Sequence, residues 1–91
     1  MRYVALSRSS VENFERSVRG VEGIRQRRKS GALTGRNDRA TVETLQMHLE
    51  YMRRLVRESD EVCAALDSRP KLAARYRRAE RYVALGEWPE L

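Results

Sequence analysis

The stretch that decides the fold is residues 38–67, DRATVETLQMHLEYMRRLVRESDEVCAALD. Side chains at alternating steps of three and four form a stripe that is apolar except at one serine, and its members are Val42, Leu45, Leu49, Met52, Val56, Ser59, Cys63 and Leu66. A repeat of about 3.5 residues keeps one stripe of an α-helix turned towards a partner. The stretch therefore predicts an uninterrupted central helix over 38–67 with a coiled-coil-like seam.

Helical signals also lie on both sides of this stretch. Ser9 or Ser10 can cap a first helix whose early glutamates favour the positive end of the helix dipole. Pro70 is the residue type preferred in the first turn of a helix. We predict an all-α, three-helix fold in a single domain, 1–91, with an arm at 1–9, a helix at 10–29, a basic, glycine-containing loop at 30–37, the central helix at 38–67, a third helix at 70–85 and a tail at 86–91.

The chain is short for a domain with a complete core of its own, because it has 91 residues of which 41% are hydrophobic. Small helical domains often complete their cores by pairing with a second copy. We therefore expect a homo-oligomer whose subunits contact one another through Val42, Leu45, Leu49, Met52, Val56 and Leu66. The seam mixes valine, leucine and methionine, and this mixture does not select a particular number of subunits. Trp88 in the tail either joins a partner contact or folds back over the core.

Ser59 is the polar member of the seam, and its neighbour Cys63 is small. Both side chains weaken an apolar contact, so we expect looser pairing near this end. A buried hydroxyl without a hydrogen-bond partner is destabilising. If Ser59 is buried in the seam, its replacement by alanine is expected to raise thermal stability.

Charge is unevenly distributed along the chain. The formal net charge is +6, with +6 in residues 1–36, −3 in residues 37–67 and +3 in residues 68–91. Either oppositely charged helices pack side by side, or the basic segments face an anionic partner such as nucleic acid. Arginine outnumbers lysine seventeen to two, which suits phosphate binding and ion pairs but also follows from a GC-rich genome.

Two basic clusters are the candidate binding residues. The first contains Arg25, Arg27, Arg28 and Lys29, with Arg36 across the loop, and the second contains Arg75, Arg77, Arg78 and Arg81. On one side of the protein they would form a continuous surface that binds phosphates with little sequence preference. Alternatively, the first cluster caps a helix C-terminus and the second is a solvated face. Tyr76 and Tyr82 fit a buried stripe at least as well as a base-stacking role.

The sequence contains no recognisable catalytic constellation. The one histidine, His48, and the one cysteine, Cys63, lie fifteen residues apart on the predicted central helix. Gly31 and Gly35 lack the lysine and serine of a phosphate-binding loop. No metal-ligand spacing involves His48, so we expect a packed or half-exposed histidine. We therefore expect neither an enzyme nor a metal or other cofactor.

The remaining features concern location and function. No apolar run approaches the roughly 18–20 residues that cross a bilayer, no signal peptide is recognisable, and a single cysteine fits a reducing, cytoplasmic compartment.

We expect a non-enzymatic, self-associating protein that binds nucleic acid without reading bases. Small arginine-rich helical proteins of phages and mobile elements that assemble on, package or regulate nucleic acid offer a class-level analogy. The alternative is a helical adaptor or inhibitor that docks on a protein through the seam and Trp88.

Overall fold

The computed structural model describes residues 9–30 and 38–85, and their regular structure is entirely α-helical. Within these residues four helices follow one another: α1 (Ser10–Lys29), α2 (Asp38–Glu58), α3 (Asp60–Ser68) and α4 (Pro70–Ala84). The all-α class is confirmed, and so are the predicted first helix and the start of a helix at Pro70. The predictions for the arm before Ser9, for most of the loop including Arg36, and for the tail with Trp88 lie outside the described residues.

The start of α1 is fixed by a capping box. The Glu12 backbone N–H donates to Ser9 Oγ at 3.1 Å, and the Ser9 backbone N–H donates to a Glu12 carboxylate oxygen at 3.3 Å. Two backbone N–H groups that would lack partners at a helix N-terminus are therefore satisfied. At the other end, Arg27, Arg28 and Lys29 occupy the last turn, where cationic side chains offset the negative end of the helix dipole.

The prediction of one uninterrupted helix over 38–67 is wrong, because the chain leaves helical geometry at Ser59. This residue has extended backbone angles, φ −111° and ψ 114°, and its hydroxyl accepts the Val62 backbone N–H at 3.2 Å. Ser59 is thus the N-cap of a new helix, and Asp60 and Glu61 in the first turn favour that start. Residues 9–30 and 38–85 accordingly contain four helices, where the sequence predicted three.

The core is formed by the apolar stripes of all four helices. Leu45 and Met52 of α2 are fully buried in one cluster with Phe14 of α1, and the Phe14 ring lies 5.1 Å from the Tyr76 ring of α4 between centroids. The other buried members of the cluster are Val18, Val21, Ile24, Leu49, Val62, Leu72, Ala79, Tyr82 and Val83. The chain therefore covers the α2 stripe with its own helices.

Two ion pairs define how α1 and α4 lie together. Glu15 pairs with Arg69, next to the start of α4, and Glu22, two turns later on α1, pairs with Arg75. The partners advance in the same direction along both helices, so α1 and α4 run parallel. Their C-terminal halves, which carry the two basic clusters, consequently lie at the same end of the bundle.

The N-cap role of Ser59 reverses the effect expected from a buried seam hydroxyl. Replacement by alanine removes the acceptor for the Val62 N–H, so we expect Ser59→Ala to lower the free energy of unfolding by about 1 kcal/mol. Ser68→Ala is the control, because Ser68 is exposed at the C-terminal end of the same helix and caps no N–H group. Its effect should stay within about 0.5 kcal/mol. Chemical denaturation compares the two variants, and a stabilised Ser59→Ala protein would contradict the capping role.

Candidate nucleic-acid interface

A groove between α1 and α4 brings parts of both predicted basic clusters together. Arg25 and Lys29 are four residues apart on α1, and Arg75 and Arg78 are three apart on α4, so each pair projects from one face of its helix. The groove has a volume of about 230 Å³ and is lined by Val21, Glu22, Arg25, Gln26, Lys29, Arg75, Arg78 and Ala79. We call it the basic groove: among the residues that the structure describes, four cationic side chains and one carboxylate, that of Glu22, line it.

Glu22 and Arg75 form a bidentate ion pair inside the basic groove. Arg75 Nε donates to Glu22 Oε2 at 2.9 Å, and Arg75 Nη2 donates to Glu22 Oε1 at 2.8 Å. These hydrogen bonds hold the pKa of Glu22 below its usual value against the opposing effect of burial. They also raise the pKa of Arg75. Both groups are therefore charged at neutral pH, and the arginine fork is fully used by the carboxylate.

Arg25 is positioned by an aromatic ring. Its guanidinium carbon lies 5.5 Å from the centroid of Tyr82, a distance at which a cation is attracted to a ring face. Tyr82 and Tyr76 are both buried, and burial is the main cause of the raised pKa of each phenol. Of the two roles considered for these tyrosines, the structure shows the core role. Tyr82 supports an arginine rather than offering a surface on which a base can stack.

The other predicted binding residues divide into exposed and buried ones. Arg27, Arg77, Arg78 and Arg81 are exposed, and the last three line a second concavity of about 250 Å³ beside the basic groove. Arg28 differs from its neighbours because only 5% of it is exposed, so it does not contribute a surface cation. Its positive charge instead lies near the Tyr82 phenol and acts to lower that pKa.

The predicted interface residues of the seam lie in or against the core. Leu45 and Met52 are inaccessible to solvent and Leu49 is 7% exposed. Val42, Val56 and Leu66 are half-buried, and the last two pack against the core cluster. A partner could therefore reach only the half-buried members without separating the helices.

His48 is packed against α1, as the sequence led us to expect. Its Nδ1 lies 3.2 Å from the hydroxyl oxygen of Ser17, and burial lowers the pKa of the imidazole. The opposite edge of the ring faces Gly20, where an added β-carbon would lie 2.8 Å from Nε2. Ser17 is itself only 5% exposed, so this serine–histidine pair joins α1 to α2 at the edge of the core.

Two further kinds of site are not found in the described part of the chain. Within residues 9–30 and 38–85, no three side chains of histidine, cysteine, aspartate or glutamate come together in a way that could hold a metal ion. Among the four helices, none combines the length and the hydropathy needed to cross a membrane.

Comparisons with protein families, with curated proteins and with solved structures find no match to this chain. Function must therefore be argued from its own residues. The chemical capacity of the basic groove is to bind an anion, because four cationic side chains line it.

Replacing Gly20 or Gly23 by alanine should change the stability of the protein in opposite directions, because only Gly20 packs against His48. At Gly23 a β-carbon would meet only an Arg27 guanidinium nitrogen at 3.6 Å, an ordinary contact, so Gly23→Ala should stabilise the helix by about 0.5–1 kcal/mol. At Gly20 the same carbon displaces His48 from Ser17, so Gly20→Ala should destabilise the protein by about 1 kcal/mol. Thermal or chemical unfolding measures both, and equal stabilisation by the two variants would contradict the packing of His48.

Proposed function

We propose that this protein binds double-stranded nucleic acid through its phosphates at the basic groove, without reading the bases, and that its role is to assemble on, package or regulate nucleic acid without catalysis. The observation that carries the proposal is the meeting of Arg25 and Lys29 from α1 with Arg75 and Arg78 from α4 around one concave surface. The two pairs of residues are about fifty positions apart in the sequence and come together only in the fold.

Phosphate binding follows from the way these cations are held. Each projects from a helix that packs in the core, so the backbone positions of all four cations are set before a phosphate backbone binds. Neutralising phosphates releases condensed counterions, which drives binding strongly at low salt and weakly at high salt. Arginine adds a planar fork that matches two phosphate oxygens, and Arg77 and Arg81 extend the charge along α4.

The aromatic side chains favour binding to the backbone over recognition of bases. Proteins that hold single strands usually stack bases on exposed aromatic rings. Among residues 9–30 and 38–85, Phe14, Tyr76 and Tyr82 are buried and Tyr51 is half-buried. We therefore expect duplexes of different sequence to bind equally well, and a single strand to gain no additional affinity from stacking.

Docking on another protein through the seam receives less support. A partner seated on Leu45, Leu49 or Met52 would have to displace the helices that now cover those side chains. Uncovering one such side chain costs about 1.5–3 kcal/mol. Self-association stays part of the proposal, but it is restricted to half-buried side chains such as Val42, Val56 and Leu66.

The proposal is tested by removing two cations from the basic groove and two from elsewhere. Lys29→Gln with Arg78→Gln removes one exposed cation from each wall of the groove. Arg54→Gln with Arg57→Gln is the matched control, because both side chains are exposed on α2 and Arg57, like Lys29, lies in the last turn of its helix. The two double variants have the same net charge.

Binding of a fluorescent duplex is measured by anisotropy over a range of salt concentrations. We expect the groove variant to lose at least about tenfold in affinity at about 0.1 M salt and its plot of log K against log salt to flatten by about 1.8, since two phosphate contacts are lost. The control should lose much less. Equal losses in the two variants would exclude the basic groove as the site, and no binding by the unmodified protein at low salt would exclude the function.

A further inference from the structure

We propose that Glu22 occupies a phosphate subsite at Arg75, so that the basic groove binds nucleic acid with one of its arginines already engaged by the chain's own carboxylate. This inference rests on the proposed function and concerns what sets its strength. It identifies Arg75 as a binding site for a phosphodiester oxyanion, and Glu22 as the intramolecular competitor for that site.

The geometry of the pair is that of a bound anion. Arg75 donates from Nε and Nη2 to the two oxygens of one carboxylate, at 2.9 and 2.8 Å. Arginine binds the two free oxygens of a phosphate with the same fork. A phosphodiester carries one negative charge and two such oxygens, so it can replace Glu22 in both charge and hydrogen bonding.

The surroundings of the pair favour a further anion. Arg25, Lys29 and Arg78 line the same groove, and a single carboxylate does not balance four cations. The groove volume of about 230 Å³ corresponds to several water molecules, since a water molecule occupies about 30 Å³ in the liquid. The groove therefore has space for an anion beside Arg75 and cationic side chains that attract it.

The pair is also accessible. The Arg75 and Glu22 side chains are 32% and 39% exposed, so solvent and ligand reach both of them. Ion pairs of this exposure contribute little to stability because water screens them. Exchange of one anion for another at Arg75 is consequently possible without loss of the fold.

Two other arginine–carboxylate pairs in the described part of the chain lie outside the basic groove. Arg69 pairs with Glu15 and Arg53 pairs with Glu80, and neither carboxylate lines the groove. Arg53 lines a separate concavity between α2 and α4. Glu80 thus offers a matched control: a carboxylate that is also paired with an arginine of another helix, but on a different side of α4.

The test compares Glu22→Gln with Glu80→Gln in duplex binding by anisotropy. Both variants gain one unit of net charge and lose one interhelical ion pair, and circular dichroism establishes that both are folded. We expect Glu22→Gln to bind on the order of five- to tenfold more tightly at about 0.1 M salt, with a salt slope steeper by about 0.9, because one more phosphate is contacted. Glu80→Gln should change affinity less than twofold.

A second substitution, added to Glu22→Gln, tests whether Arg75 is the arginine that the loss of the Glu22 carboxylate makes available to phosphate. Arg75→Gln added to Glu22→Gln should abolish the gain, whereas Arg53→Gln added to Glu22→Gln, which leaves the same net charge, should preserve most of it. Equal effects of Glu22→Gln and Glu80→Gln, with normal binding by the unmodified protein, would overturn the inference and leave the proposed function intact. Absence of binding by the unmodified protein and by Glu22→Gln alike would overturn both.

Discussion

The structure depends on burial of the α2 apolar stripe by the chain's own α1 and α4. Leu45 and Met52 have no solvent exposure, and each such side chain contributes about 1.5–3 kcal/mol when it is fully removed from water. To cover that stripe with residues from both ends of the sequence, the chain must turn twice after α2. It does so at Ser59, the cap of the nine-residue α3, and again at Arg69, where Pro70 begins α4.

This packing has an electrostatic consequence, because α1 and α4 are parallel. Parallel helices place their negative C-terminal dipole ends together, and basic side chains in both last turns offset them. The basic side chains of both last turns thus lie where the two helix dipoles favour positive charge. The pairs Glu15 with Arg69 and Glu22 with Arg75 mark the alignment of the two helices, which the buried core holds in place. Arg25, Lys29 and Arg78 line the basic groove beside the Glu22–Arg75 pair, so the packing of α1 against α4 also forms the proposed binding surface.

Local signals predicted much of this fold. Ser9 with Glu12, the basic residues before Ser30, and Pro70 place α1 and the start of α4 correctly, because capping depends on neighbours in sequence. The heptad stripe identified core residues but concealed the break, since Ser59 occupies a seam position and also caps α3. The sequence Ser59-Asp60-Glu61 was the available signal. The pairing of Glu22 with Arg75 could not be predicted, because the two residues are 53 positions apart and their contact depends on the register of α1 against α4.

The most direct test of this arrangement is a titration of the ¹⁵N-labelled protein with a short duplex at low salt, followed by amide chemical shifts. We expect the shifts to change at Arg25 and Lys29 on α1 and at Arg75 and Arg78 on α4, with one common dissociation constant. The outer face of α2, around Glu50 and Arg54, should stay unchanged. Changes confined to one of the two helices, or centred on α2, would contradict a single binding groove formed by the parallel pair.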